Sequence, residues 1–148
     1  MTTSVEFHTG VPDTVEFACR LLRKAYRRGL TVWCLAPRHR LDLLDRTLWT
    51  FVERDFIPHA QLGQASAAML ARTPIWLATA LPERQAASPS VVLSLGGEVE
   101  LDAAGTARVI ELIGLDADEV ERGRTLWRRY KAGGFEVVHH PFAAAREP

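Results

Sequence analysis

Nothing in this 148-residue sequence resembles a signal peptide, and no segment approaches the length and apolarity of a membrane span. A cytoplasmic chain is therefore expected, with no membrane partner. Net charge is missing as well. The 18 lysines and arginines are matched by 18 aspartates and glutamates, which leaves no global basic field to grip a nucleic-acid backbone. Cysteine is scarce: Cys19 and Cys34 stand far apart among apolar neighbours and form no Cys-x-x-Cys pair. Buried fillers are expected at both, rather than a disulfide or metal ligands.

The signatures of chemistry are absent too. The segment His8-Thr9-Gly10-Val11-Pro12 contains neither Gly-x-Gly-x-x-Gly nor the Gly-x-x-x-x-Gly-Lys-Ser/Thr cradle. Gly96-Gly97 reads as a turn rather than a phosphate nest. Ser94 lies in Leu-Ser-Leu-Gly-Gly, not in a Gly-x-Ser-x-Gly elbow. The five histidines, His8, His39, His59, His139 and His140, show no spacing suited to a metal. Adjacent His139 and His140 would point to opposite faces of a strand, and His59 is expected to bond a loop backbone. Glu98 and Glu100 read as solvated turn residues. No catalytic residue and no cofactor are expected.

What is present is an alternation of strands and helices. Ser4–His8 alternates as a short strand. Asp13 or Thr14 caps a helix whose buried stripe is Val15, Cys19, Leu22 and Tyr26, and Gly29 stops it. Arg23, Lys24, Arg27 and Arg28 crowd its last turns, where cations meet the negative end of the helix dipole. Thr31–Ala36 is continuously apolar, as in a strand covered on both faces. A helix follows from about Arg38 to Val52, turning Leu41, Leu44, Leu48 and Phe51 inward and Trp49 outward. A small-residue loop is expected from 60 to 73, then a strand at Ile75–Thr79. The stretch Leu81–Ser90 reads as a loop, Val91–Leu95 as a strand and Ala104–Ile113 as a helix. The last helix begins at Asp116 with Glu119 as its capping-box partner and ends at Gly133-Gly134, before a strand at Phe135–His139.

Strands separated by helices in this order imply right-handed crossovers. The expected class is α/β: a single doubly wound, mainly parallel sheet with helices on both faces, Rossmann-like but without a phosphate-binding loop. One domain over 1–140 and a frayed tail over 141–148 are expected.

Binding surface is what remains. At about 100° per residue, Arg124, Arg128 and Lys131 share one narrow stripe of the last helix, with Trp127 at its edge. Gly123, Leu126 and Tyr130 point the other way, toward a core. Cations beside an indole suit a ligand that is both acidic and aromatic, because guanidinium pairs with carboxylate in a forked geometry. Trp49 and Phe56 form a second apolar patch suited to a protein partner.

Two segments together resemble a known family. Leu44-Asp45-Arg46-Thr47-Leu48-Trp49, with Phe56-Ile57-Pro58-His59 seven residues beyond the tryptophan, resembles the central signature of the bacterial DNA polymerase III chi subunit family. The pattern Arg124-x-x-Trp127-Arg128-x-Tyr130-Lys131-x-Gly133-Gly134-Phe135 resembles that family's closing helix and glycine turn. Trp127 stands where the family also uses tyrosine, and Arg128 where it also uses lysine.

The resemblance implies a non-catalytic accessory of the clamp-loader assembly, in a polymerase whose catalysis resides in another subunit. Its implied partners are the psi subunit and the acidic C-terminal tail of single-stranded-DNA-binding protein, so that nucleic acid is reached only indirectly. By position, Arg124, Trp127 and Arg128 match the tail-binding residues, with Ile113 as an apolar wall and Lys131 beside them. Trp49 and Phe56 match the psi-contacting patch, and the resemblance leaves open whether a helicase shares it. Two rival classes stay open at this point: a nucleotide-dependent α/β enzyme, which the missing phosphate loop disfavours, and a direct nucleic-acid-binding module, which the even charge balance disfavours.

Overall fold

The apolar run at 31–36 lies near the middle of the molecule for a simple reason. A strand whose every side chain is apolar must be covered on both faces. In the computed structural model, which describes residues 4–50, 56–63, 66–81, 90–97, 99 and 108–142, Val32–Leu35 is fully buried. Val32 and Cys34 pack into one apolar cluster and Trp33 and Leu35 into another across the sheet.

The elements run β1 (Ser4–Val11), α1 (Thr14–Arg27), β2 (Val32–Leu35), α2 (Arg38–Thr50), β3 (His59–Gln61), α3 (Ala67–Arg72), β4 (Ile75–Ala78), β5 (Val91–Ser94), β6 (Arg108–Gly114), α4 (Ala117–Ala132) and β7 (Glu136–Pro141). The strands form one sheet in the order β3-β4-β2-β5-β6-β1-β7. Each pairing is parallel. Helices α1 and α2 cover one face through Val15, Cys19, Leu22, Leu41, Leu44 and Leu48. Helix α4 covers the other through Tyr130, with Leu126 and Trp127 packed beside it. This is the expected doubly wound α/β class.

Helix ends follow local chemistry. The Asp13 side chain accepts the Glu16 backbone N–H at 3.0 Å and starts α1. Arg28 closes it, and Gly29 takes the left-handed φ of 73°. Cys19 and Cys34 are buried free thiols, and burial pushes the Cys19 pKa up to about 12, so both serve as apolar filler.

Several expectations need correction. The segment read as a helix over Ala104–Ile113 is strand β6 over Arg108–Gly114, its earlier residues lying outside those described. Val109, Leu112 and Ile113 match helical spacing, but a short apolar run carries no unique period. Here Ile110 and Leu112 face α1 while Val109 and Ile113 face α4. The 60–73 loop holds β3 and the six-residue α3, which Ser66 caps by accepting the Met69 N–H at 3.2 Å. Tyr26, in the last turn of α1, is exposed rather than buried.

The Asp116–Glu119 capping box does not form. Asp116 makes no side-chain cap bond, and Glu119 reaches back to accept the Gly114 N–H at 3.2 Å. Pro141 and Phe142 are tied down, the latter donating its N–H to the Thr9 carbonyl at 2.9 Å, so the expected fraying does not begin at 141. Phe51 and Val52, Glu98 and Glu100, most of the 81–90 loop and the tail over 143–148 lie outside the described residues.

Candidate functional site

Helix α4 sits on the sheet by one narrow face. Gly123 brings its backbone close to β6: a β-carbon there would meet the Ile113 side chain at 3.1–3.3 Å. Two turns later Tyr130, fully buried, donates its phenol to the Glu111 carboxylate at 2.7 Å. Burial, and then the Glu111 charge, raise the Tyr130 pKa, so the phenol remains a donor. The Phe7 ring meets Tyr130 edge-on at 5.9 Å and Trp127 edge-on at 5.3 Å.

With α4 anchored this way, the flank that carries Arg124 and Trp127 leaves a groove of about 470 Å³ between the helix, β1, β6 and β7. Phe7, Ile113, Leu115, Val120 and Trp127 give it apolar walls, Arg124 and Arg128 supply cations, and Thr9 and His139 add polar groups. Trp127 is half-buried, while both arginines are exposed. Arg128 donates Nε–H to the Arg124 carbonyl at 3.3 Å. Lys131 does not line the groove; its Nζ lies 5.6 Å from the centre of the Trp127 ring.

The structure therefore brings Arg124, Trp127, Arg128 and Ile113 into one concavity and sets Lys131 on its flank. Phe7, Thr9, Leu115, Val120 and His139 are lining residues that no local pattern announced. They come from β1, the β6–α4 turn, the first turns of α4 and β7, which parallel pairing of β1 with β6 and β7 brings side by side. His139 shares a hydrogen bond of 2.6 Å with the Thr9 hydroxyl and stands edge-on to Trp127 at 6.0 Å.

Arg122 behaves differently from its basic neighbours. It bonds Glu119 at 3.0 Å, donates to the Leu112 carbonyl at 2.9 Å and lies 3.7 Å from buried Glu111. Arg40 joins from α2, donating to the Leu95 carbonyl at 2.9 Å and standing 3.6 Å from Glu119. These cations are consumed at the C-terminal ends of the strands. Gly97 likewise serves packing, since a β-carbon there would fall 2.5 Å from Leu35 Cβ.

The second patch lies at the other end of the sheet and on the other face. Trp49 on α2 is 51% exposed and Phe56 is 63% exposed, their rings 5.4 Å apart. Trp49 rests on His59, centroid to centroid 4.6 Å. His59 is fixed by the Ile57 carbonyl at 2.7 Å, as expected of it, and by Asp45 at 3.1 Å. Helix α2 contacts β3 and β4, whereas α4 contacts β6, β7 and β1, so the two surfaces do not compete for space.

A sequence model for the family described as DNA polymerase III chi subunit, HolC, matches residues 1–138. The chain belongs to the DNA polymerase III chi subunit family. It is similar to the DNA polymerase III subunit chi of Pseudomonas aeruginosa (strain PAO1), 27% identical over 145 residues that cover 93% of this chain and 96% of that one. Membership makes it an accessory subunit of the replicative polymerase, which agrees with the expected role in DNA replication. Among the described residues, no helix is long and apolar enough to cross a membrane.

Proposed function

We propose that this accessory subunit is a non-catalytic cytoplasmic connector, holding the acidic C-terminal tail of single-stranded-DNA-binding protein in the α4 groove while Trp49 and Phe56 bind the psi subunit. One observation carries the reading. A half-buried indole and an apolar floor lie directly beside two exposed guanidinium groups, within one concavity. A peptide terminus that is acidic and ends in an aromatic residue needs both: forked cations for its carboxylates and a preformed apolar wall for its ring. Burying one such ring at about 25 cal/mol per Å² is worth several kcal/mol before ordering costs, so the apolar wall supplies most of the affinity. The arginines supply orientation and rate.

The distance between the two patches supports simultaneous engagement of both partners. In that arrangement the protein reaches single-stranded DNA through another protein and contributes no reaction of its own.

The test is calorimetry with a tail peptide, alongside a binding assay with psi. Arg124→Ala or Trp127→Ala is expected to abolish peptide binding and leave the psi contact intact. Raising salt should weaken the peptide through screening of the exposed ion pairs without eliminating its apolar part. Equal affinity of the peptide for wild type and both variants overturns the assignment.

A further inference from the structure

Parallel pairing of β7 on β1 has a second consequence, on the face opposite the groove. His8 and His140 are register partners, and Glu6 lies two residues before His8 on the same side of β1. Their side chains converge. The two imidazoles stack with centroids 4.9 Å apart and planes inclined by 25°, and His140 Nε2 stands 3.5 Å from Glu6 Oε1. One ligating atom from each of Glu6, His8 and His140 lies within 4.8 Å of the other two.

We infer that Glu6, His8 and His140 form a transition-metal site of the two-histidine, one-carboxylate kind, with Zn²⁺ as the ion it takes. The edge of a tetrahedron with bonds of about 2.1 Å is about 3.4 Å, close to the existing separation of His140 Nε2 and Glu6 Oε1. Two imidazoles and a carboxylate suit Zn²⁺ better than the hard ions Mg²⁺ and Ca²⁺.

The carboxylate is already oriented. Arg108 donates from Nε to Glu6 Oε2 and from Nη2 to Oε1 at 3.1 Å, the kind of outer partner that fixes a ligating group. Its positive charge also opposes a second cation, so affinity falls below that of closed structural zinc sites. Neutral imidazole is the ligating form. The exposed side of His140 leaves a fourth coordination position toward solvent.

Bound there, the ion clamps edge strand β7 onto β1. Along the chain the histidines show no metal spacing. The relevant spacing is across the sheet.

The experiment is calorimetric titration of untagged protein with ZnCl₂ at neutral pH, paired with thermal unfolding. Wild type is expected to take up one equivalent saturably and to unfold at a higher temperature with the ion. His140→Ala, an exposed change that leaves the core untouched, should weaken binding at least tenfold and abolish the thermal shift. His8→Gln and Glu6→Gln should do the same, whereas His39→Ala on α2 should bind as wild type does. Absence of saturable one-to-one uptake by wild type, or uptake that survives His140→Ala, overturns the inference.

Discussion

The Tyr130 hydroxyl donates to Glu111 at 2.7 Å, joining the helix that carries the groove's cations to the middle of strand β6. Both groups are buried, the carboxylate 1% exposed. Removing the donor leaves a desolvated acceptor behind, which costs more than the hydrogen bond itself contributes. Tyr130→Phe is therefore expected to destabilise the fold by about 2 kcal/mol, read from the urea midpoint. Because α4 loses an anchor one turn from Trp127, tail-peptide affinity should fall as well, while the Trp49 surface keeps its own.

Two carboxylates that share the Arg122 guanidinium, Glu119 at 3.0 Å and Glu111 at 3.7 Å, respond to pH with opposite sign. Burial raises the Glu111 pKa despite Tyr130 and Arg122. Its contribution to stability is thus present at low pH and lost as pH rises through the folded value. Burial would also raise Glu119, but Arg122, the Gly114 N–H and Arg40 outweigh it and lower the pKa. Its contribution is present above the ordinary carboxylate value and lost as pH falls through the folded one. Relative to wild type, Glu111→Gln should gain stability as pH rises, and Glu119→Gln should gain it as pH falls. Denaturation midpoints measured from acid to neutral pH separate the two slopes.

Trp49 and Phe56 are more than half exposed, so truncating them removes little that the fold depends on. Trp49→Ala and Phe56→Ala should change stability by only about 0.5 kcal/mol or less. Binding to psi should fall steeply, since an exposed tryptophan at an interface centre carries much of the energy. The tail peptide should bind as before. Loss of both ligands together in a folded variant would mean that the two surfaces are coupled or wrongly divided.

How much was legible beforehand depended on how local the signal is. The stop of α1 at Gly29, the Asp13 cap and the double-sided burial of β2 each follow from a few adjacent residues. So did the outward face of α4: Arg124, Arg128 and Trp127 share a helix, and helical geometry alone places them together. Strand β6 also reads as helix, because four apolar residues over Val109–Ile113 satisfy two periods at once. Glu111 was hidden with it, since a carboxylate in a supposed helix reads as solvated. Glu119 looked like a capping residue and instead holds Gly114 and Arg122.

Local residue pattern set the layered α/β class, the α4 flank that presents cations and an indole, and the exposed Trp49 at the end of α2. These rest on propensity and periodicity, which act over a few residues. Only the folded chain shows that Phe7, Leu115 and His139 wall one groove, and that Glu6, His8 and His140 meet on the reverse side. Strand order and register set those encounters, and both are fixed by the burial of two apolar clusters on opposite faces of the sheet. No stretch of chain encodes that balance locally.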